Sequence, residues 1–337
     1  MPKKTFAVTV TYGDRFHLLK QVIEAALREG VDKVIVVDNN SKPNSRKKLK
    51  EYHRKNLDKI DVLYLPENFG SAGGFKRGLE RAYNDPECEF IWLLDDDNKP
   101  QHGSLQLLKK FWKEYEPKNR EILVLLSYRE DRVQYFESLI LKDPELVLGK
   151  KNSFYGFHIF EIPKYIKTIF IKKLNIGEKN YSKIPRFGQV AVAPYGGLFF
   201  NKKLLDIIGY PNEKLYVYSH DHEWTYRITR KGGKIILLID SLIRDLEKSW
   251  HITEKNETML SSFSPSNTFR IYYGLRNRVY FENKYLKTNA WIHKINCFIF
   301  LALILLHDII FFKTTTTFKI ALKAVKDANK NKLGRVI

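Results

Sequence analysis

Phe90-Ile91-Trp92-Leu93-Leu94-Asp95-Asp96-Asp97-Asn98-Lys99-Pro100 is an apolar run stopped by three consecutive carboxylates. A strand covered on both faces reads as continuously apolar, and adjacent aspartates cannot extend such a strand. They mark its carboxyl end, where open α/β sheets hold their ligands. Alternation along a strand predicts that Asp95 and Asp97 point one way and Asp96 another. Two aligned carboxylates form a hard-oxygen site suited to Mg²⁺ or Mn²⁺ beside a substrate phosphate. A solvated acidic turn is the plainer reading of the same residues.

Upstream, strand and helix alternate. Phe6 to Thr11 is β-branched and strand-like, and Phe16 to Glu29 carries apolar residues at helical spacing up to Gly30. Val34 to Val37 reads as a second buried strand, ended by Asp38-Asn39-Asn40-Ser41, and Val62 to Leu65 as a third. A loop from Pro66 to Gly74 is expected to precede a helix from about Phe75 to Tyr83. This order predicts an α/β fold: a Rossmann-like, mostly parallel sheet flanked by helices and built to bind a nucleotide. Asp38 suits a ribose hydroxyl or base edge, and equally a helix cap. The stretch Asn68-Phe69-Gly70-Ser71-Ala72-Gly73-Gly74 opens a helix, so its amides suit a diphosphate, with Lys76 and Arg77 adding charge.

A second chemical cluster is Tyr218-Ser219-His220-Asp221-His222-Glu223-Trp224. Acidic residues in a first helical turn serve as caps and dipole partners, or here as a general base. His220, His222 and His251 invite a zinc reading, but the helical His pair with an adjacent Glu is missing. The stretch from 129 to about 185 is rich in aromatics and lysine and is expected to be an insertion.

The formal charge of +20 over 337 residues calls for an anionic partner: nucleic acid, acidic lipid or a phosphorylated substrate. The basic residues are dispersed rather than gathered into a reading motif, which argues against nucleic acid. The two cysteines, Cys88 and Cys297, give no disulfide framework and suit a reducing compartment. Met1-Pro2-Lys3-Lys4-Thr5 runs straight into a strand, so no secretory leader is expected.

These pieces together resemble a family 2 glycosyltransferase of the GT-A fold, in the branch of bacterial galactofuranosyltransferases and rhamnosyltransferases. The resemblance rests on Val8 to Tyr12, Val36 to Ser41, Asn68 to Phe75, Leu93 to Asp97, Asp221-His222-Glu223 with Arg227 and Gly232, Trp250-His251, and Tyr272-Tyr273-Gly274-Leu275-Arg276-Asn277. It implies that Thr11 and Asp38 line the nucleoside pocket and that Asn68, Gly73 and Gly74 lie near the diphosphate and sugar. It further implies that Asp95, Asp97 and His251 hold Mn²⁺ or Mg²⁺, that Asp96 faces the donor sugar, and that Asp221 is the base of an inverting transfer. His220 stands where the family carries the first of two acids, which leaves Glu223 as the alternative base. Lys76 stands where relatives often carry Asn. The implied partners are a nucleotide-diphosphate sugar and a glycan or lipid-linked acceptor, with UDP-galactofuranose and dTDP-rhamnose the leading donors.

The expected organisation is a catalytic domain over 1–260, interrupted by the 129–185 insertion, and a helical extension over 261–337. Within the latter, Trp291 to Phe312 is strongly apolar, yet its charge-free core from Ile295 to Leu306 falls short of the ~20 residues a bilayer span needs. An in-plane helix, a dimerising helix and a core helix are the readings left open. With its basic flanks, this region suits a cytoplasmic enzyme held at the inner face of the plasma membrane. Two other classes compete: a sugar-phosphate nucleotidyltransferase, which also uses paired carboxylates, and a basic nucleic-acid-binding protein.

Overall fold

A computed structural model describes residues 4–115, 120–162, 185–247, 260 and 262–336. They fall into two compact units. The first holds the described residues up to Leu148 and those from Pro185 to Glu247; the second holds 149–162 and the described residues from 260 onward. The stretch expected as one insertion is therefore divided. Residues 129–148 belong with the sheet and 149–162 with the C-terminal helices.

In the first unit the strands are β1 (Lys4–Thr11), β2 (Lys33–Asp38), β3 (Ile60–Tyr64), β4 (Cys88–Asp95), β5 (Asn98–Pro100), β6 (Leu123–Arg129), β7 (Phe187–Val190), β8 (Leu198–Asn201) and β9 (Lys234–Asp245). The sheet order is β3-β2-β1-β4-β8-β6-β9-β5, with β7 on β9. From β3 to β4 every pairing is parallel. Beyond β4 the sheet is mixed, because β8 runs antiparallel to both β4 and β6. The chain winds outward from β1 to β2 and β3, then returns to place β4 on the other side of β1. Such a reversal opens a crevice at the carboxyl ends of the two central strands. Thr11 and Asp95 end those strands.

Both faces of the sheet are covered, which explains the unbroken apolar runs. Phe6, Val8 and Val10 point into one core cluster with Phe75, Leu79 and Trp224; Ala7, Trp92 and Leu94 point into the other with Leu19, Ile23 and Leu108. The first unit's helices are α1 (Phe16–Arg28), α2 (Pro43–Arg54), α3 (Gly70–Asn84), α4 (Ser104–Glu114), α5 (Val133–Ile140), α6 (Leu204–Ile208) and α7 (His220–Arg230).

Helix α3 begins at Gly70, not near Phe75, so the glycine-rich stretch is helical rather than a loop. The reason is steric. A Cβ on Gly74 would lie 2.5 Å from Val10 Cγ1, and one on Gly78 2.5 Å from Val8 Cγ1. Glycines four apart share one helix face, and here that face rests directly on β1.

The second unit contains α8 (Thr268–Tyr285), α9 (Ala290–His307) and α10 (Thr316–Asn329). A single π-helical stretch, Asp308–Phe312, continues α9. Arg276, fully buried on α8, donates to Gly334 O and Asn277 Oδ1, and its guanidinium stands over the Tyr272 and Tyr273 rings. The tyrosine-rich Arg-Asn stretch thus holds the C-terminal tail against α8.

Candidate active site

The site is built where β1 and β4 end. Strand β4 stops at Asp95, and Asp96 and Asp97 form the turn into β5. Strand alternation therefore does not reach Asp97, and the acids divide differently from the expectation. Asp96 and Asp97 share Arg15, which precedes α1: Arg15 Nε lies 3.0 Å from both Asp96 oxygens and Nη2 2.8 Å from Asp97 Oδ2. Asp95 instead faces Arg129 at 3.5 Å.

Asp96 is buried, and Thr11 Oγ1 donates to it at 2.8 Å. Burial pushes its carboxyl up to about 7, against the pull of Arg15. For Arg15, burial works against the charge but is outweighed by Asp96 and Asp97, so the guanidinium stays charged. Asp96 was expected to face the sugar. Its oxygens are instead taken by Thr11 and Arg15, and it braces the crevice floor. Thr11, expected in the nucleoside pocket, is the other half of that brace.

Asp95 is the open member of the triplet. Its side chain is 37% exposed and accepts no hydrogen bond among the described residues. Desolvation by the surrounding protein raises its pKa; Arg129 opposes this, and the like charges of Asp97 and Asp221 add to it. Asp97 is more committed, accepting from Arg15 and, at 3.2 Å, from Asn98 Nδ2. Gly196 closes the wall: a Cβ there would meet Asn98 Oδ1 at 1.9 Å and Asp95 Oδ2 at 2.9 Å.

Carboxylate oxygens are the donors a hard dication takes, and Asp95 accepts no hydrogen bond here, though Arg129 faces it at 3.5 Å. Among the described residues, however, no group of three or more His, Cys, Asp or Glu side chains is assembled for a metal. The expected third ligand, His251, lies outside the described residues.

Asp221 stands in the first turn of α7. Desolvation alone would raise its pKa, but His222, His220 and the His222 backbone N–H (2.8 Å) hold the carboxyl well below the usual range. Its charge also raises the pKa of Tyr135 and Tyr195, both already raised by burial. Tyr135 Oη is 3.3 Å from His222 Nε2. His220 is buried and stacks on Tyr195 at 5.0 Å between centroids, with Nδ1 3.7 Å from Asp221 Oδ1. Among the described residues neither ring nitrogen of His220, nor the Tyr195 hydroxyl, has a hydrogen-bond partner.

The approach to Asp221 is strained. Tyr216, Tyr218 and Ser219 all have positive φ (64°, 63° and 54°), a conformation that costs energy for residues other than glycine and concentrates at functional sites. The turn is pinned where Tyr216 O accepts from Ala72 N at 3.1 Å. Thr225 Oγ1 adds a second tie, donating to Asp221 O at 2.8 Å and accepting from Ala193 N.

The alternative base is differently placed. Glu223 is fully buried, and its oxygens lie 3.3 and 2.5 Å from Arg227. Its partner Arg227 also donates to Ile208 O and Tyr210 O, so this pair ties α7 to the end of α6.

The remaining expected donor contacts lie around β2 and α3. Asp38 is fully buried, accepting Ser41 N at 2.8 Å with one oxygen and Arg46 Nε with the other. Asn68 Oδ1 accepts from Gly70 N and Asn39 Nδ2, and Asn39 reaches on to Gly70 O and Phe69 N. Asn39 was not singled out by the sequence, yet it ties the two loops together. Gly73 and Gly74 are bare because Phe69 and Val10 lie against them. Lys76 pairs with Glu213 at 2.6 Å, beside Arg77 at 2.9 Å.

Arg15 and Arg129 were also missed. Arg129 is buried and bonded to Asp245. A physical signal was available: three adjacent acids, with Asp96 buried among them, need cations, and these are arginines at or just past the carboxyl ends of β1 and β6.

The profile of Glycosyl transferase family 2 matches residues 7–159. The dTDP-rhamnosyl transferase RfbF of Shigella flexneri is 22% identical over 278 residues, covering 82% of this chain and 79% of that protein. The mannosyltransferase PcManGT from Pyrobaculum calidifontis, solved with GDP-Man and Mn²⁺, superposes with a TM-score of 0.53 at 13% identity, over 100% of this chain and 77% of that one. GalNAc-T7, solved with UDP, GalNAc and Mn²⁺, gives a TM-score of 0.53 at 12% identity, over 83% of this chain. The chain spans about half, 48%, of GalNAc-T7. The two structures share the GT-A fold with this chain. The chain is thus similar to glycosyl transferase family 2 over residues 7–159 and shares its fold with solved glycosyltransferases.

Proposed function

We propose that this chain is a glycosyltransferase that moves rhamnose or galactofuranose from a nucleotide-diphosphate donor to a hydroxyl of a glycan or lipid-linked glycan, inverting the anomeric centre. The observation that carries the reading is electrostatic. Asp221, ionised on α7, lies close enough to Asp95 at the tip of β4 for its charge to act on it, and both carboxylates act on the buried Tyr195. Rhamnose is the first donor to test because a dTDP-rhamnosyl transferase is among the relatives.

Asp95 and Asp97 would hold Mn²⁺ or Mg²⁺, with His251 the candidate third ligand. When bound, the cation supplies charge neutralisation for the diphosphate leaving group. Asp221 accepts the proton of the acceptor hydroxyl as that oxygen attacks. Its low pKa keeps the carboxylate ionised before the acceptor arrives. Glu223 positions α7 through Arg227 rather than taking a proton. Thr11, Asp96 and Arg15 hold the floor on which the diphosphate rests. Asp38, through Arg46 and the Ser41 turn, shapes the nucleoside end. Asn68 orders the start of α3, and Lys76 reaches the donor by exchanging Glu213 for phosphate.

The acceptor reading brings with it a cytoplasmic enzyme working at an anionic membrane surface, alone or as a homo-oligomer. The direct test is a donor panel with Mn²⁺ or Mg²⁺ that follows nucleotide-diphosphate release. The reading expects release from dTDP-rhamnose or UDP-galactofuranose, dependent on acceptor. No release from any sugar nucleotide, with or without metal and acceptor, would refute it.

A further inference from the structure

Helix α9 and its continuation are inverted in polarity. His293, Asn296, Phe300, Ile304 and Asp308, spaced three or four apart, form the buried face. Three of those five are polar, and each is bonded inward. His293 Nδ1 meets Ser153 O at 2.9 Å. Asn296 donates to Asn152 O and accepts from Ile159 N, and Asp308 Oδ2 accepts from Phe318 N. The outward face is apolar: Trp291, Phe298 and Phe311 are 77%, 74% and 69% exposed, with Leu306, Ile309 and Ile310 about half exposed between them. A helix facing water places its polar residues outward. This one does the reverse, and its most apolar 18-residue window has a mean hydropathy of 2.4.

We infer that this face is a docking surface for an anionic lipid bilayer, on which α9 lies in the plane of the membrane. The inference deepens the peripheral location proposed above. Two observations select this occupant. First, the inward face is hydrogen-bonded to residues 152–159, so a crossing helix would take that polar backbone into hydrocarbon, where it has no water to bond. Second, the exposed charge bordering the face is basic. Lys294 stands over the Trp291 ring at 5.5 Å, and exposed Lys313 follows Phe312. The acids after Lys284 are Asp308 and Asp327; one is buried and the other accepts from Tyr272 Oη. Two copies pressed together here would oppose like charges, whereas anionic headgroups complement them and the apolar side chains enter the acyl boundary.

The test is co-sedimentation of the intact protein with vesicles of phosphatidylcholine alone or with added phosphatidylglycerol, alongside sedimentation analysis without lipid. Binding is expected to require phosphatidylglycerol and to weaken with salt. The F298S/F311S double variant should bind about tenfold or more weakly while keeping the wild-type circular dichroism and thermal transition. Should that variant fail to fold, K294Q/K313Q, which leaves the apolar face intact, should lose binding with a smaller salt response. Equal binding to both vesicle types, resistance to alkaline carbonate extraction, or a lipid-free dimer abolished by F298S/F311S would each overturn the inference. Nucleotide-diphosphate release in solution is measured in parallel and is expected to be unchanged in these variants. A failure of the transfer reading therefore leaves the vesicle result intact, and the reverse holds too.

Discussion

Thr11 Oγ1 donates to Asp96 Oδ2 at 2.8 Å, joining the last residue of β1 to the turn that follows β4. The bond crosses the point where the winding of the sheet reverses, and Arg15 completes it from the other side. The brace takes up Asp96 and leaves Asp95, 37% exposed, as the more open carboxylate of the triplet.

Removing the cation of that brace should cost stability. Arg15→Met leaves Asp96 buried with Thr11 alone, and breaking a buried pair on one side costs about 3 kcal/mol. Urea unfolding should show that loss. Arg15→Lys should recover only part of it, since an ammonium cannot bond Asp96 and Asp97 as a fork does. Wild-type stability in Arg15→Met would mean the contact is incidental.

The two acids of α7 should separate cleanly. Asp221→Asn is expected to lower kcat by about 10²–10⁴-fold with donor binding retained by calorimetry. Glu223→Gln leaves the half-buried Arg227 without its counter-charge, so its effect should appear in the unfolding midpoint, with activity following the folded fraction. Near-normal turnover in Asp221→Asn would move the base elsewhere.

His220 gives a pH signature. The two histidines hold the Asp221 pKa down, so replacing His220 by Phe, which preserves the stack on Tyr195, should raise it. A raised carboxyl pKa moves the acid limb of kcat/KM to higher pH. The pH profile of His220→Phe should therefore lose activity earlier on acidification than wild type. An unshifted limb would show that His220 only packs.

Helix α3 offers a packing test. Gly78→Ala places a methyl 2.5 Å from Val8 Cγ1, and overpacking of this kind costs about 1–3 kcal/mol. Val8→Ala in the same chain should recover part of that loss, and a double-mutant cycle reads the coupling.

Much of this fold could be read directly. The apolar runs Phe6–Val10, Val34–Val37 and Phe90–Leu94 are strands, and the acids stopping them mark the ligand end, because burial on both faces leaves no other pattern. The start of α3 was not legible, since Gly70, Gly73 and Gly74 look like a loop until Tyr216, Phe69 and Val10 are seen against them. The direction of Asp97 was lost for a local reason: the strand ends two residues earlier. Arg15 and Arg129 pair with acids far away in sequence, which no local spacing encodes. Helix α9 was ambiguous because hydropathy alone cannot tell which face meets protein. Only the hydrogen bonds of His293, Asn296 and Asp308 settle it.

The central claim is that Asp95 and Asp97 present a divalent cation to a nucleotide diphosphate, and titration calorimetry tests it most directly. dTDP or UDP should bind wild-type protein in Mn²⁺ and lose most of that affinity in EDTA, and Asp95→Ala should bind weakly with or without metal. Equal affinity in Mn²⁺ and EDTA, unchanged by Asp95→Ala, would contradict the account.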